Sequence, residues 1–152
     1  MYKRRFDVFK KGDGVMRMVP YIRLNGNCEE ALNYYKNLLD GEINYLQRYG
    51  EAPKGMWNVE GAENRILHAS LLAGGVVLHL SDIPEGMVEA PGGAVSLSLE
   101  LEPEEDMDFI YEALSRDGVV EVAIRETFWN ARYASVIDKF GIRWIINQDM
   151  EQ

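Results

Sequence analysis

One cysteine, two histidines and a shortage of positive charge mark this 152-residue chain. Cys28 has no second cysteine to pair with, so no intramolecular disulfide forms, and a reducing, cytoplasmic setting is expected. One cysteine and two histidines cannot supply a zinc-finger ligand set. Sixteen Lys and Arg stand against 25 Asp and Glu, a net charge of −9, which argues against nucleic acid or an anionic membrane as partner. No apolar run approaches the ~18 residues of a membrane span. No glycine-rich strand-to-helix loop suits a dinucleotide-like cofactor; Gly12-Asp13-Gly14 follows no convincing strand. Nor is there a nucleophile signature. Cys28 sits near a helix start that could lower its pKa, and burial as a small hydrophobe is the expected outcome.

What is present is ordered and repeated. Residues 1–17 form a basic extension carrying Lys3, Arg4, Arg5, Lys10 and Lys11, without the apolar stretch of a secretory signal. Val19 to Asn25 reads as a strand. A helix follows, with Glu29 and Glu30 in its first turn, where carboxylates suit the positive end of the dipole. Asp40-Gly41 stops it, with Gly41 the expected left-handed cap. Glu42 to Tyr49 is a strand, and a polar loop then carries Trp57, a candidate lid or subunit contact. Arg65 to Ala73 and Val76 to Ser81 are strands joined by the hairpin signal Gly74-Gly75. Residues 83–93, rich in Pro and Gly, link this first module (18–82) to a second (94–152).

The second module runs through the same order. Ala94 to Leu101 alternates as a strand. Pro103 opens a helix with Glu104, Glu105 and Asp106 in its first turn, and Met107, Ile110, Tyr111 and Leu114 form its apolar stripe. Asp117-Gly118 ends it, and three strands follow. Leu24 and Leu99 lie 75 positions apart, as do Leu32 and Met107; Leu78 and Trp144 lie 66 apart. The expected fold is therefore α+β: two βαβββ modules forming a cup-shaped mixed sheet. Alternation places Tyr21, Arg23, Val77, His79 and Ser81 on the cup face, with Ser96, Ser98, Glu100, Arg143, Ile145 and Asn147. Ile22, Leu24, Val76, Leu78, Leu80, Trp144 and Ile146 turn toward the helices.

Pro20-Tyr21-Ile22, Asn25 to Ala31, Tyr34-Tyr35, His68-Ala69, Gly74-Gly75, Leu78 to Asp82, Phe128-Trp129, Asp138, Phe140-Gly141 and Trp144 occur in an order and spacing that resembles the vicinal oxygen chelate superfamily. That superfamily takes in glyoxalase I, bleomycin-resistance proteins and extradiol dioxygenases. The chain looks most like its PhnB-like, demethylubiquinone-methyltransferase-like branch, over residues 18 to 148. The resemblance implies the glyoxalase/bleomycin-resistance/dioxygenase fold and a homodimer. It also implies one divalent metal held by four side chains, mostly His and Glu, from the first and last strands of each module. Carried onto this chain, those positions fall on Tyr21, His79, Ser96 and Ile145, of which only His79 is a good ligand.

Three functions remain open. In the first, the cup binds a small planar or anionic molecule without metal or other cofactor, through Tyr21, Arg23, His68, His79, Trp129 and Arg143, and there are no catalytic residues. In the second, one divalent ion held by His68, His79 and Glu100 serves a lyase, isomerase or dioxygenase reaction. In the third, the cup is vestigial and the protein is a scaffold.

Overall fold

The computed structural model describes residues 10–11, 14–15, 17–53, 60–84 and 94–150. Most of the basic extension and of the linker, and Trp57, lie outside the described residues. The chain divides into two compact units, Met1–Gly86 and Met87–Gln152.

The first unit begins with a minimal antiparallel pair, β1 (Lys10–Lys11) and β2 (Gly14–Val15). Then come β3 (Tyr21–Leu24), α1 (Cys28–Leu38), β4 (Glu42–Arg48), β5 (Ile66–Ala73) and β6 (Val76–Asp82). The second holds β7 (Leu97–Leu101), α2 (Met107–Ser115), β8 (Val119–Glu126), β9 (Ala131–Ile137) and β10 (Arg143–Asp149). The sheets read β3-β6-β5-β4 and β7-β10-β9-β8. Each is antiparallel except where its first strand lies parallel to its last. The duplication is thus one of topology: two βαβββ units with the same strand order.

Alternation accounts for the cores. Along β3, Ile22 and Leu24 are buried while Tyr21 and Arg23 are exposed. Ala69, Leu71, Leu78 and Leu80 complete the buried layer with Ala31, Leu32 and Tyr35 of α1. Ala134, Val136, Trp144 and Ile146 do the same with Met107 and Leu114 of α2. Burial of each such side chain is worth about 1.5–3 kcal/mol. Val76, expected to face inward, is 47% exposed because it opens β6 beside the hairpin turn.

Three local expectations are corrected. First, α2 does not begin at Pro103. Residues 102–106 form a turn, and Asp106 caps the helix by accepting from the Phe109 N–H (3.0 Å). The Gln148 amide donates to the carbonyls of Glu102 and Glu105 (2.8 Å each), which holds that turn out of the helix. Second, the left-handed residues after the helices are Asp40 (φ 48°) and Asp117 (φ 57°), not the glycines that follow. Aspartate tolerates this region better than most residues. Gly41 and Gly118 are needed for close approach: a Cβ on Gly41 would lie 2.9 Å from the Leu72 carbonyl oxygen, and one on Gly118 would collide with that of Ile137. Third, the sheet registers align Leu24 with Leu101, since Leu24 faces Asp82 and Leu101 faces Gln148. The apolar match at 75 positions is therefore two residues out for the first strands. The Gly74-Gly75 hairpin stands as read, with both residues at positive φ (55° and 77°), as its turn type requires.

Candidate functional site

On the face of the first sheet turned away from α1, four rings gather. β3 and β6 run parallel with Tyr21 opposite His79, and β5 runs antiparallel with Ser70 opposite His79. His68, two residues along β5 on the same face, meets His79 with ring centroids 4.7 Å apart in an edge-on arrangement. Tyr21 lies 5.8 Å from His68 and 5.9 Å from His79, and its hydroxyl shares a 3.2 Å hydrogen bond with His68 Nδ1. Tyr45 of β4 stands 5.8 Å from His68 on its other side and donates to Gln47 Oε1 (3.0 Å). Edge-to-face geometry suits the electron-rich ring faces and is worth about 0.5–1.5 kcal/mol per pair. Burial, then the neighbouring His68, then Arg17 hold His79 below the ordinary imidazole range.

The expected ligand-contacting residues are divided between the two units. Tyr21, His68 and His79 come together, and Arg23 shares their face of the sheet. Arg143 and Trp129 belong to the second unit and stand apart within it. Arg143 faces Ile137 at one end of the β9–β10 pair and donates through Nε to Glu121 Oε1 (2.6 Å). Trp129 sits beyond the other end, in the turn before Ala131, about 20 Å away along the strands. It is 54% exposed and packs edge-on against Phe128, which is 97% exposed.

Tyr45 and Arg17 were not singled out by sequence reading. The signal for Tyr45 was obscured by two irregularities in β4, which interrupt its pairing with β5 between Ile43 and Tyr45 and between Gln47 and Arg48.

A superfamily metal does not fit the residues present. The parallel register makes Ser98 the partner of Ile145, as Tyr21 is of His79, so the second-unit positions are Ser98 and Ile145; Ser96 precedes β7. One imidazole, a phenol, a primary hydroxyl and an alkyl chain make a poor donor set. For the His68, His79 and Glu100 alternative, the two imidazoles adjoin in the first unit, whereas the Glu100 carboxylate in the second accepts from Ser98 and Asn147. Among the described residues no group of three or more His, Cys, Asp or Glu could hold a metal ion.

Cys28 is fully buried. Burial, then the charges of Asp82 and Glu29, pushes its thiol up to about 12, so the helix-start effect is overridden. Native protein at pH 8 is expected to leave this thiol unmodified by a disulfide exchange reagent over an hour, and to react with one equivalent once unfolded in guanidinium. Rapid native labelling would contradict the burial.

The α1 N-terminus is already occupied. Asp82 Oδ1 accepts from the backbone N–H of Gly26 (2.8 Å) and Cys28 (3.0 Å), and Glu29 and Glu30 add negative charge to the first turn. An incoming phosphate would find these amides taken and like charges beside them.

These features place the protein in a class by fold: the two-module glyoxalase/bleomycin-resistance/dioxygenase fold. A solved glyoxalase/bleomycin resistance protein/dioxygenase from Nocardioides has this fold, with a TM-score of 0.53 and 20% identity over 90% of this chain and 85% of its own. Within that class the chain belongs to the family described as 3-demethylubiquinone-9 3-methyltransferase, which matches residues 16–147. It is 32% identical over 148 residues to Protein YjdN of Escherichia coli K12, covering 90% of this chain and 98% of that one. Protein PA1353 from Pseudomonas aeruginosa is 28% identical, with a TM-score of 0.79 over 90% of this chain and 99% of its own. A putative 3-demethylubiquinone-9 3-methyltransferase, PhnB protein, from Bacillus cereus is 26% identical, with a TM-score of 0.72 over 88% and 99%.

Proposed function

We propose that this protein binds a small molecule, without a metal, on the face of the first sheet that carries Tyr21, His68, His79 and Tyr45. One observation supports the reading above the rest: four rings from four adjacent strands converge there, whereas the matching strand positions of the second unit hold Ser98, Ile145, Tyr133 and Val122, with a single ring among them. Both histidines of the chain, His68 and His79, lie on this copy, which is thereby specialised relative to the second. The family's name describes a methyl transfer, and the sequence offers no glycine-rich strand-to-helix loop to cradle a nucleoside cofactor for it. The protein is further proposed to act as a homodimer, since β8 is a sheet edge with Val119 and Val120 exposed. Among the described residues no helix is long and apolar enough to cross a membrane.

Thermal melting of chelator-treated protein against a panel of small aromatic acids, amides and amines tests this. A true ligand at about a hundred times its Kd stabilises by about 2.7 kcal/mol, a rise in Tm of about 5–10 °C for a chain of this size. The rise should saturate, persist without divalent cations and disappear in His68→Ala. A rise that needs Zn²⁺, Mn²⁺ or Fe²⁺ would replace this reading with the metal-dependent one.

A further inference from the structure

The same face carries guanidinium groups beside its rings. The protein carries 25 acidic against 16 basic residues. Yet Arg17 stands near enough for its charge to act on His79. Tyr21 and Arg23 alternate with buried Ile22 and Leu24, so the Arg23 guanidinium emerges on the ring-bearing face. Ser70 opposite His79 and Ser81 opposite Arg23 are buried small hydroxyls on that face, where bulkier side chains would raise the floor. Tyr21 and Tyr45 remain about half exposed at 49% and 48%, on either side of His68, so their rings are not used up by internal packing.

Resting on the reading that this face is a binding site, we propose that its ligand is a flat aromatic oxyanion. The ring lies among Tyr21, His68 and Tyr45, and the negative group turns toward Arg17 and Arg23. Two independent features select this class. The ring cluster rewards a planar, apolar body, because stacking and edge contacts need an aromatic partner. The guanidinium groups of Arg17 and Arg23 reward an anion and oppose a cation, and such groups pair carboxylates with a matching planar fork. An aromatic cation would satisfy the first feature and be opposed by the second. An aliphatic acid would satisfy the second and forfeit the first.

Three isosteres separate these possibilities: 2-naphthoate, 2-naphthamide and 2-naphthamidine, titrated into the metal-free full chain by calorimetry in 50 mM NaCl. Naphthoate should bind at least about tenfold tighter than the amide, a factor a single charge-assisted contact supplies, and the amidine should bind weakest. Raising NaCl to 500 mM should weaken naphthoate several-fold and leave the amide unchanged, because only the charged ligand is screened. Arg17→Gln should lower naphthoate affinity about three- to tenfold with no effect on the amide. Arg17 is an exposed residue, so this variant leaves the fold intact. Equal or tighter binding of amide or amidine would overturn the oxyanion class while leaving a binding site in place. No binding of any of the three up to 10 mM would overturn both this inference and the reading it rests on.

Discussion

Asp82→Ala is expected to destabilise the protein by about 4 kcal/mol, read as a shift of the urea unfolding midpoint. Asp82 is the last residue of β6 and is buried. One carboxylate oxygen accepts from Gly26 and Cys28 N–H, and the other accepts from Ile66 N–H at 2.9 Å. Its backbone carbonyl accepts the Tyr49 hydroxyl at 2.9 Å. The side chain therefore ties the start of α1 and the start of β5 to the end of β6. Removing it strands three backbone donors, each costing about 1–3 kcal/mol when buried, less whatever water recovers. Asp82→Asn gives the sharper test. An asparagine can keep its oxygen toward Gly26 and Cys28, but its NH₂ then meets the Ile66 N–H, donor against donor. The expected loss is about 2 kcal/mol, and an Asn variant as stable as the parent would refute the account.

Trp144→Ala is expected to cost the second unit about 4 kcal/mol. The indole is 2% exposed and faces Val136 across the β9–β10 pair. Its Nε1–H donates to Asp138 Oδ2 at 2.8 Å, while Asp138 Oδ1 accepts from Phe140 (2.9 Å) and Ile142 (3.0 Å) N–H. The residue thus fills the core and braces the β9–β10 turn. Trp144→Phe keeps most of the volume and removes the donor, so it should cost about 2 kcal/mol. A double-mutant cycle with Asp138→Asn should return a coupling of about 1–2 kcal/mol. Coupling near zero would mean that the indole acts by packing alone.

Asp82 and Gln148 show how the duplication diverged without losing its logic. They occupy matching registers, opposite Leu24 and Leu101, and each secures the strand-to-helix connection of its unit. Asp82 does so by accepting from backbone N–H groups, Gln148 by donating to backbone carbonyls. A sequence comparison that seeks like residues at one offset cannot find this pair, because the two side chains have opposite hydrogen-bonding sense.

The order of elements was legible in the chain. Period-two apolar alternation in Tyr21 to Leu24 and in Leu97 to Leu101, acidic residues at the start of each helix, and Asp-Gly stops repeated at 40–41 and 117–118 are local signals. They state what each segment does without reference to any other, and they determined the duplicated α+β fold. The grouping of side chains was not legible in this way. Tyr21 and His68 lie 47 positions apart and meet because β3 pairs with β6 and β6 with β5. Tyr45 joins them through a strand whose irregularities defeat a simple parity count, while Arg143 goes to Glu121 and Trp129 to the far end of its sheet. Strand register decides these neighbours, and register is fixed by long-range hydrogen bonding and packing that no local periodicity encodes.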